Sequence, residues 1–251
     1  MEDIKVSVIT VCYNSENTIR RTIESVLKQT YSNIEYIIVD GASVDSTLDI
    51  VKEYEESFGG RLRFISEPDG GIYFAMNKGI SMATGELIGM INSDDWYEPD
   101  AVKVMAEAYS EQLSVSGGKP YQILYGKTRS VRDGEEVSIS ESDHTRLREE
   151  MISHPSSFVS AALYRELGAY DTKFISAADY DFMLRMYAKD DVVFTRVDEL
   201  IANFTLGGMC ASSKAYYDLL KVRKRHGIIS GLEYLITVCK CRIYDTLHGA
   251  V

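Results

Sequence analysis

Two adjacent carboxylates, Asp94 and Asp95, close an apolar run in the stretch GMINSDDWYEPD, residues 89–100. Oxygen ligands of this kind suit a hard divalent cation such as Mg2+ or Mn2+, which commonly bridges a protein to a substrate diphosphate. The same pair has a structural use: Pro99 and Asp100 read as the start of the helix EPDAVKVMAEAY, and acids beside a helix N-terminus stabilise it. Asp40, in VDGASVDST, divides in the same way. Asp-Gly is ordinary turn chemistry with Ser43 or Asp45 able to cap a helix, yet a strand-end acid also faces the place where α/β sheets bind ligands.

The elements that must position these acids read as follows. KVSVITVCYN is an apolar, β-branched run that stops at Tyr13-Asn14, as a buried strand does. SENTIRRTIESVLKQT places Ile19, Ile23, Val26 and Leu27 at helical spacing behind Ser15, the expected cap, and IEYIIVDGAS predicts a second strand breaking at Asp40-Gly41. A helix over STLDIVKEYEES, a short strand at RLRFISEPD, a helix over GIYFAMNKGISMA and a strand at ELIGMIN continue the alternation. The expected fold class is α/β, with helices covering a largely parallel sheet whose strand ends carry Tyr13, Asp40, Asp69 and the Asp94-Asp95 pair.

The 251 residues, 45% of them hydrophobic, suffice for one large domain or a domain with a small appendage. No apolar run of spanning length occurs and MEDIKVSVIT lacks the zones of a secretory signal, so the expected compartment is the cytoplasm. Cysteines 12, 210, 239 and 241 form no disulfide framework or zinc spacing and read as free thiols. A net charge of −11 excludes broad nucleic-acid binding, while an anionic small molecule stays compatible where a cation or helix N-terminus supplies local positive field. Residues 215–251 hold six Lys or Arg against three acids, or +3, which leaves −14 for the rest of the chain. Neither a G-x-G-x-x-G fingerprint nor a Walker sequence is present, which removes the usual dinucleotide and P-loop readings.

In order and spacing, VSVITVCYNSENTIRRTIESVLKQTYSNIEYIIVDGASVDST, SEPDGGIYFAMNKGISMATGELIGMINSDDWYEPDAV, HPSSFVSAALYRELGAYDTKF and AADYDFMLRM resemble the inverting nucleotide-sugar glycosyltransferases of the large GT-A family that makes bacterial surface polysaccharides. The resemblance implies a GT-A domain over residues 1–205 followed by a loop and helical extension, 206–251. It places the nucleotide base at Thr10, Val11 and Tyr13, with Asp40 accepting a hydrogen bond from the base imide and Asp69 close by. The last acid of the family's D-x-D motif, which binds Mn2+ or Mg2+, falls on Asp94. Asn92 replaces the first acid and retains a hydrogen bond to a ribose hydroxyl without adding charge.

Two further departures follow. Many relatives carry Arg where this chain has Met76, and close ones Asp where it has Phe74, so Lys78 is the expected substitute cation against phosphate, its other reading being a solvated helix face. The catalytic base falls on Asp179, with Ala178 in place of the family's Glu; Asp181 reads as a helix-start cap or a partner of Arg185 one turn on. His154, in SHPSSF, is expected to touch acceptor or metal, or else to be structural. NFTLGGMCASS resembles a segment that closes over the diphosphate, with a plain linker as the alternative.

The implied reaction moves a sugar from a nucleotide-diphosphate donor, UDP by family habit, to a saccharide hydroxyl with inversion and without a covalent intermediate. Lipid-linked saccharides are frequent acceptors in the family. The tail AYYDLLKVRKRHGIISGLEYLITVCKCRIYDTLHGAV reads as two helices broken near Gly227–Gly231, the first strongly basic; it is expected to rest on anionic lipid, to cap the domain or to form an oligomer contact. Two other classes compete: a nucleotide-sugar-binding protein weakened in catalysis, which Asn92, Met76 and Ala178 favour, and a nucleotidyltransferase, whose Gly-rich, basic N-terminal loop TVCYNSENT lacks.

Overall fold

The structure is a computed structural model and describes residues 4–207 and 213–248. β1 (Val6–Cys12) and β2 (Ile34–Asp40) are buried at every position, as parallel strands are when helices cover both faces of their sheet. Between them lies α1 (Ile19–Leu27), and after them α2 (Thr47–Glu53), β3 (Leu62–Ser66), α3 (Ile72–Met82) and β4 (Leu87–Met90). These four strands are parallel, and the register sets Cys12 opposite Asp40 and Asp40 opposite Ser66, so three strand ends finish level.

The remaining chain builds a mixed half. β5 (Trp96–Tyr97), α4 (Ala101–Val115), β6 (Gln122–Arg132), β7 (Glu135–Ser140), β8 (Ser157–Ser160), α5 (Ala161–Leu167), α6 (Ala178–Tyr187) and β9 (Val193–Thr205) follow in order. The sheet runs β3-β2-β1-β4-β8-β6-β9-β5, with β7 on β6; β8 is antiparallel to β4 and β6, β9 parallel to β6, and β5 antiparallel to β9. One core, with Ile19, Ile23, Val102 and Met105, fills the α1/α4 face; the other, with Tyr73, Met76, Leu163 and Phe182, fills the α3/α5/α6 face.

The amino end of the parallel half is pinned by Glu35. Its carboxylate accepts from the Ser7 hydroxyl at 2.5 Å and from the Thr84 and Gly85 amides, and it pairs with Arg63 at 3.0 Å. Burial alone would raise this carboxyl, but the Ser7 and Thr84 hydrogen bonds outweigh it and hold the group down at about 2.

Two predicted caps are corrected. α1 begins at Ile19, and Ser15 instead shares a 2.8 Å hydrogen bond with Ser93, joining the loop after β1 to the turn after β4. α4 begins at Ala101 without a side-chain cap, so Asp94 and Asp95, in the turn between β4 and β5, do not serve it.

The tail forms α7 (Ser213–Arg225) and α8 (Gly231–His248). α7 seats on the domain: Val222 is fully buried, and buried Asp218 accepts the Ile175 amide at 2.5 Å. Arg225 turns inward to Asp171 at 2.8 Å and Asp181 at 3.1 Å. The basic helix is thus a packed cap, and its charge is partly spent on the domain's acids. Gly227, at φ 63°, ends it with the Gly227 amide on Lys224 O and the Ile228 amide on Arg223 O, and Ser230 and Glu233 exchange the two hydrogen bonds of a capping box that starts α8. Among the described residues no helix is long and apolar enough to cross a membrane. Cys12, Cys239 and Cys241 are free thiols; Cys210 and the core of the NFTLGGMCASS segment lie outside the described residues.

Candidate active site

The level strand ends converge on Asp40. Its fully buried carboxylate accepts from the Ser43 amide at 2.9 Å, the Ser43 hydroxyl at 2.5 Å, the Ser66 hydroxyl at 2.6 Å and the Cys12 thiol at 3.5 Å. A carboxylate offers about four lone-pair sites, so the protein itself fills them. Ala42 is held left-handed at φ 63° and Asn14 at φ 48°, with the Asn14 amide donating to Ser43 Oγ and Asn14 Oδ1 accepting the Val44 amide. Strain of this kind persists only where the surroundings over-determine it.

Above this knot the surface opens. A Cβ on Gly41 would lie 3.2 Å from Asp69 Oδ2 and 3.4 Å from the Tyr13 ring, so these three residues form one platform, with Tyr13 64% exposed. Asp69 also accepts the Gly71 amide at 2.8 Å and thereby fixes the start of α3. Thr10 and Val11 are buried instead: Thr10 Oγ1 accepts from the Tyr36 hydroxyl, and Val11 belongs to the core. Of the three residues expected at the base, only Tyr13 presents its side chain.

The turn after β4 carries Asn92, Asp94 and Asp95. Asp94 is half-buried and its side chain pairs with no other among the described residues; burial raises its carboxyl against the pull of Arg21. Its backbone carbonyl is gripped by the Thr205 hydroxyl at 2.6 Å and Arg21 Nη2 at 2.9 Å, while the Arg21 guanidinium stacks 3.6 Å above Trp96. Asp95 is buried, accepts the Thr205 amide at 2.8 Å, and is raised well above the usual range by burial and then by the charge of Asp94.

Among the described residues, Asn92 Oδ1 and Asp95 Oδ2 are buried without a protein partner. This oxygen set fits a hard cation. Among the described residues no three His, Cys, Asp or Glu side chains gather as a metal cage, so such a cation would complete its shell from a bound diphosphate and water.

Asp179 sits in the first turn of α6, half-buried, and accepts from the Tyr73 hydroxyl at 2.9 Å. Tyr73 lies in the first turn of α3, two residues after Gly71, so Asp179 joins the same rim as Asp69. His154 is buried, its Nε2 has no partner among the described residues, and it lines a small cavity with Asp179 and Tyr170. Burial lowers the imidazole pKa, with the Asp179 charge opposing, and favours the neutral ring. Asp181 has no place at this rim: fully buried, it binds Arg185 at 3.0 Å, Arg225 at 3.1 Å and His226 at 2.9 Å. Lys78 is paired with Glu67, and Met76 is buried in the core.

Residues 7–168 match glycosyl transferase family 2. The chain belongs to that family. An uncharacterised glycosyltransferase of Mycobacterium tuberculosis is 36% identical over 184 residues, covering 72% of this chain and 68% of its own. A PGL/p-HBAD biosynthesis glycosyltransferase of Mycobacterium bovis is 27% identical over 88% of this chain and 86% of its own, and Escherichia coli chondroitin synthase 29% identical over 83%, but only 30% of its own length. Among solved structures, Staphylococcus aureus TarS 1-349 in complex with UDP-GlcNAc superposes with a TM-score of 0.72 at 22% identity, over 92% of this chain and 69% of that one. The Pyrobaculum calidifontis mannosyltransferase PcManGT, in complex with GDP-Man and Mn2+, superposes with a TM-score of 0.65 at 16% identity, over 99% and 76%.

This family 2 glycosyltransferase is therefore an enzyme of GT-A fold, which closes the nucleotidyltransferase reading. Sequence reasoning missed Tyr73, Arg21 and the Ser15–Ser93 link. Each joins segments distant in the chain, Tyr73 to Asp179 across 106 positions, and local pattern carries no signal for such a pairing.

Proposed function

We propose that this glycosyltransferase moves a sugar from UDP-sugar to a saccharide hydroxyl with inversion, in a domain spanning about residues 1–205. The observation that carries the reading is the Tyr73–Asp179 hydrogen bond, which brings a carboxylate from α6 to the rim already bearing Tyr13, Asp69 and the Asn92–Asp94 turn. The base rests on Tyr13, Gly41 and Asp69, and Asp40 either meets it after Ser43 yields a lone pair or holds the loop beneath it. Asn92 meets the ribose and Lys78, on leaving Glu67, a phosphate. A divalent cation, Mn2+ or Mg2+, held by Asp94 would offset the charge on the departing diphosphate.

Asp179 takes the proton of the acceptor hydroxyl as that oxygen attacks the anomeric carbon, the bond to the diphosphate oxygen breaks on the opposite face, and no covalent intermediate forms. His154, neutral and with Nε2 unpartnered among the described residues, would hydrogen-bond an acceptor that reaches its cavity. UDP is supported by the UDP and UDP-GlcNAc complexes of TarS, and the cation by the Mn2+ complexes of PcManGT and of GalNAc-T7. The chondroitin synthase relative supports a saccharide acceptor, and a lipid-linked form of it is part of the proposal.

A donor-hydrolysis screen over nucleotide sugars with and without Mn2+ tests the donor and the cation, and transfer by Asp179→Asn tests the base. The expected result is UDP-sugar hydrolysis that needs Mn2+, and a loss of transfer of about 10²–10⁴-fold with nucleotide binding kept. Full transfer by Asp179→Asn would place the base elsewhere, and metal-independent hydrolysis would remove Asp94 from its role.

A further inference from the structure

The outward face of α8 is an exposed apolar stripe. Leu232, Leu235, Ile236 and Ile243 are 69%, 58%, 46% and 61% exposed, and Cys239 is exposed with them. These positions recur at the three- and four-residue spacing that lines one face of a helix. Consecutive residues are turned by about 100° around the axis, so exposed Lys240, after Cys239, and Arg242, before Ile243, flank the stripe on opposite sides. The other face, with Tyr234, Thr237, Val238 and Cys241, is half-buried, and Lys224 lies 4.7 Å above the Tyr234 ring. The helix is thus oriented, with its apolar side away from the domain.

We infer that this face of α8 docks on an anionic lipid bilayer. An apolar stripe rimmed by cations on a helix lying parallel to a surface is the pattern that buries its side chains at the acyl boundary while lysine and arginine meet lipid phosphates. Charge complementarity selects this occupant: beside the stripe stand the exposed cations Lys240 and Arg242 and one acid, Glu233, so the rim keeps a net positive charge on a chain of net charge −11, and its two cations meet lipid phosphates. α8 also has a fixed relation to the catalytic rim. Arg225 and His226, just before the turn into α8, bind Asp181 in the helix turn that carries Asp179, and Arg148 holds Gly227 O at 3.1 Å. If the acceptor is lipid-linked, which rests on the proposed function, the bilayer would present it on this side.

Cosedimentation of the full chain with vesicles of phosphatidylglycerol and phosphatidylcholine, beside vesicles of phosphatidylcholine alone, tests the inference. Binding is expected to the anionic vesicles only and to weaken with salt. Lys240→Gln with Arg242→Gln should lower it about fivefold for each charge, and Leu235→Ser with Ile236→Ser about tenfold or more. All four side chains are exposed, so the variants keep the fold, and donor hydrolysis in vesicle-free solution should match the parent. Loss of hydrolysis in the parent would count against the proposed function and leave the vesicle result standing. Parent protein that ignores anionic vesicles, or variants that bind as the parent does, would overturn the docking surface. So would a parent dimer, by sedimentation equilibrium, that Leu235→Ser with Ile236→Ser makes monomeric.

Discussion

The Tyr73 hydroxyl donates a 2.9 Å hydrogen bond to Asp179 Oδ1, linking the first turn of α3 to the first turn of α6. Burial and then the Asp179 charge push the phenol pKa well up, so Tyr73 stays a donor at any working pH. It fixes the direction of the carboxylate that the proposed mechanism uses.

Tyr73→Phe should therefore lower kcat for transfer by about ten- to a hundredfold, the worth of one hydrogen bond to a charged group, and leave nucleotide affinity unchanged. Steady-state transfer kinetics beside calorimetric titration with UDP and Mn2+ would check this. Weakened UDP binding with kcat intact would give Tyr73 to the donor platform instead.

Asp94→Asn should reduce the Mn2+-dependent part of UDP affinity by about tenfold or more, because the cation loses its one well-placed anionic ligand. The fold should not suffer. A carboxyl raised by burial is most favourable to the folded state below its unfolded pKa and loses that contribution as pH rises, so the amide leaves Tm near neutral pH unchanged or higher. Thermal melts and titrations on the same preparation read both effects.

Asp181→Ala should cost about 3 kcal/mol, since Arg185, Arg225 and His226 lose a shared, fully buried partner. Urea unfolding would give the magnitude. Proteolysis should strike first near α7, and transfer per folded molecule should fall far less than in Asp179→Asn.

Acid should loosen the sheet through Glu35. Its carboxyl is lowered from 4.5 to about 2, so the stability it contributes is present above about 4.5 and is lost as pH falls toward 2. Glu35→Gln should be less stable than the parent at neutral pH and show a flatter acid limb over that window. Parallel acid limbs in parent and variant would assign the effect to other carboxylates.

The parallel half was legible because its strands are short, mainly apolar and β-branched runs and each helix keeps its spacing, from KVSVITVCYN to ELIGMIN. The mixed half was not: β6, β8 and β9 acquire their order from pairings such as Leu124 with Phe158 and Leu124 with Thr195, which no local pattern encodes. At the site, strand ends announced Asp40, Asp69 and Asp94 as acids, but their environments diverge. Asp40 is saturated by Ser43, Ser66 and Cys12, Asp69 is exposed, and Asp94 is half-buried. Ser15 looked like a cap because its type suits one; its hydroxyl found Ser93 because the β1 and β4 ends are neighbours in the sheet.

The grip of Thr205 on the Asp94 turn also imposes an order in time. Asp94 O and Asp95 Oδ1 both wait for a residue more than a hundred positions downstream, and among the described residues β5 pairs only with β9. On a ribosome adding about 5–20 residues per second, the parallel half emerges whole while this turn stays unfinished for roughly ten seconds. A nascent chain can thus have its first four strands paired before the Asp94 turn is held in place, and the finished enzyme appears only when β9 closes the far side of the sheet.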